Sequence, residues 1–313
     1  MTVLLVFLGV IITLNIAGFA ITQIRGTKEL DQVKPYGDLV EVDGKKMHIY
    51  KMGEGDKTIV LMPGLGIALP SADFGPLMRA MKDDYKVVAV EYFGIGFSDV
   101  SDQPRTNENY IKELREALKK SGLNPPYVLM PHSASGIYAE YYATQYQEEV
   151  EAIIMLDTTS SAELESVKIP KFVYSLGKIQ QATGFSRLVA NLIPEFKLIE
   201  NGYTEKEQAD YKVFTYFGNN NTVIDQAVRF GDNIEEVKNL KFPETVPVLK
   251  LIAADTLKMM GKKTKDDGMG YQTKHLNRLG QNASYKIIEG SHMIYQKQSE
   301  LIKQYTDEFL SDL

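Results

Sequence analysis

The sequence predicts an α/β fold, with a mostly parallel central sheet covered by helices on both faces, a helical cap inserted between two late strands, and an N-terminal transmembrane helix. Three observations lead there. From residue 35 onward, short apolar runs rich in Val and Ile alternate with helical patterns, as parallel sheets require. One long interval between two such runs carries helical periodicity of its own. The first residues form an almost unbroken apolar stretch.

That stretch, Val3 to Ile21, contains no charge and is interrupted only by Thr13, Asn15 and two glycines. Its length matches a bilayer core of about 30 Å when helical. A cleavable signal peptide is the competing reading, since Gly18-Phe19-Ala20 offers small residues at a suitable spacing, but no Lys or Arg precedes the run. Residues 1–24 are therefore read as a single-pass anchor, in the plasma membrane, and 25–36 as a linker. Arg25, Lys28 and Lys34 follow the run and, by the positive-inside rule, keep the main domain cytoplasmic. Three cations leave the orientation open.

The core is assigned to residues 37–157 and 246–313. It opens with Asp38 to Val42 and Lys46 to Lys51 around Asp43-Gly44, a dipeptide suited to a type I′ hairpin. Strand-like runs follow at Thr58 to Met62, Lys86 to Glu91, Tyr127 to Met130, Val150 to Leu156, Val248 to Ile252 and Ser284 to Ile288. Helical patterns cover Asn107 to Lys120 and the closing Leu301, Ile302, Tyr305 and Phe309. The cap, 158–245, shows an apolar face at Ile169, Phe172, Val173, Leu176 and Ile179, with Pro170 suited to a first turn. Thr204 with Glu207 forms a capping box ahead of Tyr211, Phe214 and Phe217.

Composition narrows the chemistry. A net charge of −6, from 41 acidic and 35 basic residues, provides no cationic stripe for nucleic acid. With no cysteine there is no thiolate ligand or nucleophile, and the four histidines (His48, His132, His275, His292) show no zinc-site spacing, so no metal and no cofactor is expected. The distinctive segment is Tyr127-Val128-Leu129-Met130-Pro131-His132-Ser133-Ala134-Ser135-Gly136, an apolar run ending at a serine before small residues and a helical pattern. A strand, tight turn and helix of this kind lift one hydroxyl above a sheet beside unpaired helix-start N–H groups.

The order strand, Pro63-Gly64-Leu65-Gly66, helix, strand, Gly94-Ile95-Gly96-Phe97-Ser98-Asp99, helix, strand, Ser133 elbow, insertion, acid, histidine resembles the α/β-hydrolase superfamily over residues 36–313. The resemblance implies a Ser, acid, His order. It assigns Ser133 as nucleophile, Asp255 as acid and His292 as base, with the oxyanion held by the backbone N–H groups of Leu65 and Ala134. Asp157, which also ends a strand, is the alternative acid, because some superfamily members place it there. His275 lies in the polar stretch Tyr271 to Arg278 and reads as a solvated side chain, and His132 as a locally packed one. Two motifs depart from the family pattern. G-x-S-x-G reads Pro131-x-Ser133-x-Ser135, and Pro63 replaces the usual His before the oxyanion glycine.

The apolar composition of the cap, including Phe172, Tyr174 and Phe185, suits an ester carrying a hydrophobic group, cleaved through an acyl-enzyme on Ser133. A peptidase, amidase or thioesterase would use the same groups. A cofactor-free lyase or a low-turnover binding protein could use the same scaffold.

Overall fold

The computed structural model describes residues 2–162, 178, 181–184 and 199–313, with the backbone alone for 2–8, 10–12, 14, 23, 25, 27 and 199. Eight strands form one sheet: β1 (Asp38–Val42), β2 (Lys45–Met52), β3 (Thr58–Met62), β4 (Lys86–Glu91), β5 (Tyr127–Pro131), β6 (Val150–Leu156), β7 (Val248–Ala253) and β8 (Ala283–Ile288). Their spatial order is β1-β2-β4-β3-β5-β6-β7-β8. β1 and β2 run antiparallel to their neighbours, and every pairing from β4 to β8 is parallel. The expected strands are all present. The opening hairpin turns at Asp43 and Gly44, both at positive φ, as a type I′ turn requires.

Strands β3 and β5 are buried along their whole length, which explains their uninterrupted apolar sequences. The two faces carry separate cores. One packs Val60, Val88, Leu129 and Ile153 against α4 (Asn107–Lys120) and α5 (Ser135–Gln145). The other packs Ile59, Leu61, Val128 and Ile154 against α3 (Gly75–Met81) and the closing helix α10 (Ser299–Ser311). Between β3 and α3 lies the short helix α2 (Pro70–Asp73).

The insertion between β6 and β7 contains α6 (Glu205–Thr215) and α7 (Asn221–Lys238). The Thr204–Glu207 capping box forms, with each side chain bonded to the other residue's backbone N–H. Glu207 also receives both guanidinium nitrogens of Arg79, pinning α6 to α3. Phe214 packs with Ala68, Leu69 and Ala72, just beyond the β3 edge. The expected apolar face from Ile169 to Ile179, with Pro170, Tyr174 and Phe185, lies outside the described residues.

The N-terminal helix α1 spans Thr2–Gln32, so it continues through most of the 25–36 segment read as linker. Among the described residues, no helix is long and apolar enough to cross a membrane. The C-terminal half of α1 leans on the rest of the protein. A Cβ on Gly18 would collide with the Thr183 carbonyl oxygen, so only glycine permits that approach. Leu30, Val33 and Tyr36 join Phe214 and Leu69, and the Tyr36 hydroxyl donates to Asp210 at 2.8 Å. On the same helix Ile16, Phe19, Ile21 and Ile24 are exposed.

Candidate active site

Ser133 follows β5 at φ 53°, a left-handed conformation that costs a non-glycine residue about 1–3 kcal/mol and persists only where its surroundings impose it. Several contacts impose it. The Ser133 N–H donates to Leu156 O, while its carbonyl accepts from Gly136 N and Thr159 N. Gly64 passes so close that a Cβ there would lie 2.8 Å from both His132 Nδ1 and Ser133 Cβ. A Cβ on Gly136 would lie 2.6 Å from Thr158 Cβ.

Both replacements within the elbow motif fit this geometry. Pro131 is the last residue of β5, where its ring fits a buried strand end, and the ladder continues through the His132 N–H to Met62 O. Ser135, in place of glycine, is fully buried and donates to the Pro63 carbonyl at 2.5 Å, with Tyr92 Oη at 3.2 Å. It thereby ties the elbow to the Pro63-Gly64-Leu65-Gly66 loop. Glu91 braces that loop's far end: its carboxylate accepts from the Ser71 N–H and hydroxyl and from the Phe97 N–H, and Gly96 N donates to Ala68 O. Neither the Leu65 nor the Ala134 N–H donates to a backbone carbonyl among the described residues.

His292, in the loop after β8, places Nε2 2.8 Å from Ser133 Oγ and Nδ1 2.6 Å from Asp157 Oδ2. A carboxylate only accepts, so Nδ1 carries the proton and Nε2 is left to accept from the serine hydroxyl. Asp157 is 1% exposed at its side chain. It also accepts from the Ala253 N–H at 2.9 Å and the Thr256 hydroxyl at 2.6 Å. These donors hold the carboxylate in one orientation against the imidazole.

The sequence preference for Asp255 is therefore corrected: the acid bonded to His292 is Asp157. Asp255 is absorbed into the first turn of α8 (Ala254–Thr264), a helix that starts directly after β7. Its side chain is 55% exposed and pairs with Lys258 at 3.2 Å. Adjacent helical residues point about 100° apart, so Thr256 turns inward to Asp157 while Asp255 turns to solvent.

His132 is buried against His292 and Tyr295, with Nε2 3.2 Å from the His292 carbonyl oxygen. Burial, with the neighbouring imidazole, lowers its pKa to about 3. It is a neutral support for the His292 loop. The reading of His275 as solvated is corrected as well. On α9 (Met269–Leu279), it is fully buried, accepting from Lys250 Nζ at Nδ1 (2.5 Å) and donating from Nε2 to Glu140 at 2.8 Å. Burial lowers the Lys250 pKa to about 7 and the His275 pKa to about 4. Glu140 also accepts from Ser161 and Arg278, and Arg278 reaches the carbonyls of Val237, Lys238 and Leu240. This cluster fastens both ends of the insertion to α5, the helix that begins at the elbow. A lysine in the middle of an apolar strand was the one signal for it in the sequence.

Among the described residues, no group of three or more His, Cys, Asp or Glu side chains is arranged to hold a metal ion.

A parallel sheet with a serine elbow after its fifth strand, an insertion after its sixth and a histidine after its eighth defines the class: the protein has the α/β-hydrolase fold. Comparison with known proteins agrees. No protein-family model matches the chain. It is 29% identical over 312 residues to the uncharacterized protein YbdG of Bacillus subtilis (strain 168), covering 96% of this chain and 94% of that one. Among solved structures it resembles the epoxide hydrolase VrEH1 from Vigna radiata, with TM-score 0.66, 17% identity, and coverage of 91% of this chain and 100% of that one. A thermophilic esterase from Thermogutta terrifontis gives TM-score 0.64 at 16% identity, covering 90% and 98%.

Proposed function

We propose that the protein is a serine hydrolase that cleaves a carboxylic ester bearing a hydrophobic group. The observation that carries this reading is the continuous hydrogen-bonded chain from Ser133 Oγ through His292 to Asp157. Epoxide and haloalkane hydrolysis on this fold use a carboxylate nucleophile, and the elbow here carries a serine.

In the proposed mechanism Ser133 Oγ attacks the ester carbonyl as its proton passes to His292 Nε2. Asp157 stabilises the imidazolium and keeps its ring oriented. The carbonyl oxygen, now an oxyanion, takes the N–H groups of Leu65 and Ala134, each such donor being worth ~10²- to 10³-fold in rate. Collapse breaks the C–O bond, and the alcohol leaves with the proton from His292. Water, deprotonated by the same nitrogen, then attacks the acyl-enzyme, releases the acid and restores Ser133.

The test is intact-mass measurement of the full chain after exposure to a fluorophosphonate, beside Ser133→Ala. One adduct on the wild type and none on the variant is expected. An unlabelled, folded wild type would overturn the reading.

Helix α1 is proposed as a membrane anchor through residues 3–21, on the strength of its uncharged sequence and its exposed Ile16, Phe19 and Ile21. Alkaline carbonate extraction of membranes should leave the chain in the pellet, and release into the supernatant would refute the anchor.

A further inference from the structure

One flank of His292 opens on a cleft of about 900 Å³ between α8 and α9, a volume suited to an organic group of substantial size. His292 and Asp157 line it, and Ser133 does not. Most of the surface that lines it is carbon, although Lys263, Asp266, Gln272 and Lys274 line it as well. Met259 is 62% exposed there, beside Met260 and Tyr271, and Thr158 lies at the Asp157 end. The Tyr271 hydroxyl is already engaged, accepting from the Ser160 N–H at 2.8 Å. Methionine side chains are flexible and polarizable, so these walls adapt to an apolar body more readily than they select one rigid shape.

The position of the cleft decides which half of an ester it receives. In acylation the departing oxygen must take its proton from His292 Nε2, so the alcohol half leaves along the imidazole. The carbonyl oxygen is meanwhile held toward Leu65 and Ala134, on the β3 and β5 side. We infer that the cleft between α8 and α9 is the leaving-group subsite, and that it takes an extended apolar alcohol. This rests on the serine-hydrolase reading and sharpens it, because it assigns the hydrophobic group to the alcohol half of the ester.

The inference separates the two chemical steps. Once the alcohol has left, the cleft is empty, so narrowing it should slow acylation and leave deacylation untouched. Two substitutions narrow it. Met260→Trp adds bulk to one wall. Gly270→Leu adds a side chain at a helical position with ordinary φ, where a Cβ meets nothing closer than Asp266 Oδ2 at 4.0 Å. Replacing a helical glycine favours the helix backbone locally.

The experiment compares decyl acetate with methyl decanoate on the full-length wild type and both variants, by steady-state and pre-steady-state kinetics, with fluorophosphonate labelling of Ser133 alongside. Loss of kcat/KM on decyl acetate by about tenfold or more is expected, with methyl decanoate within about twofold and an unchanged rate of acetyl-enzyme hydrolysis. A loss confined to methyl decanoate, an equal loss on both esters, slower deacylation, or a wild type that cleaves methyl decanoate but not decyl acetate would overturn the leaving-group assignment while labelling stays intact. Failure of the wild type to label would instead bring down the serine-hydrolase reading, and the subsite with it.

Discussion

Asp157 and Asp255 end neighbouring parallel strands, and their environments could hardly differ more. Asp157 sits at φ 44°, nearly inaccessible, with three donors converging on its two oxygens. Asp255 has entered a helix and carries a surface lysine as its partner. The difference comes from the path the chain takes on leaving each strand. After β6 the chain turns sharply at Asp157 and its backbone cannot continue into regular structure. After β7, whose last residue gives the Ala253 N–H to the other acid, it passes straight into α8, whose geometry rotates Asp255 outward and turns Thr256 inward as a second donor. Position at a strand end brings a carboxylate to the sheet edge, and the turn beyond it decides whether it faces the histidine.

Predictions that would break or sharpen this contrast run from large to small. Ser133→Ala removes the nucleophile and should lower ester cleavage by ~10⁶-fold, measured as kcat on an aryl ester. Asp157→Asn should lower kcat by ~10⁴-fold, since an amide can hold the imidazole in the wrong tautomer. Asp255→Asn should change it by less than about twofold, because only an exposed ion pair is lost. Thr256→Val strips one donor from Asp157 without touching the reacting atoms, and about a tenfold loss in kcat is expected from one hydrogen bond to a charged group.

The smallest effect concerns stability. Lys250 has its pKa lowered by burial to about 7, whereas the unfolded chain holds that proton to about 10.4. Below pH 7 the folded state bears the full cost of a buried charge, and the cost fades as pH rises from 7 toward the unfolded value. Lys250→Met removes that titration, together with the Nζ–Nδ1 hydrogen bond to His275. Relative to wild type, the variant should therefore be more favourable at pH 6 than at pH 9, by on the order of 2 kcal/mol in urea unfolding. Equal differences at the two pH values would mean that Lys250 stays charged in the fold.

The inner strands β3 to β7 were readable in the sequence because each is a short, largely apolar run, as burial on both faces requires, and β1 and β2 were readable through the Asp43-Gly44 turn between them. Ser133 and His292 were readable through the family order. The acid was not, because Asp157 and Asp255 both follow apolar strands and sequence carries no record of which loop tightens at once. His275 illustrates the same limit. Its polar neighbours Lys274 and Asn277 face solvent on α9, and a helix in a polar stretch still has one buried side. Only Lys250 and Glu140, distant in sequence, complete its partners. The role of Ser135 was hidden for a similar reason: its smallness was visible, but its hydrogen bond to Pro63 depends on two loops meeting.

The most direct test of the acid assignment needs no knowledge of the natural substrate. The second-order rate of fluorophosphonate labelling at Ser133 would be measured for wild type, Asp157→Asn and Asp255→Asn at neutral pH. Labelling slowed by several orders of magnitude in Asp157→Asn alone is the predicted result. Slowing confined to Asp255→Asn would contradict it.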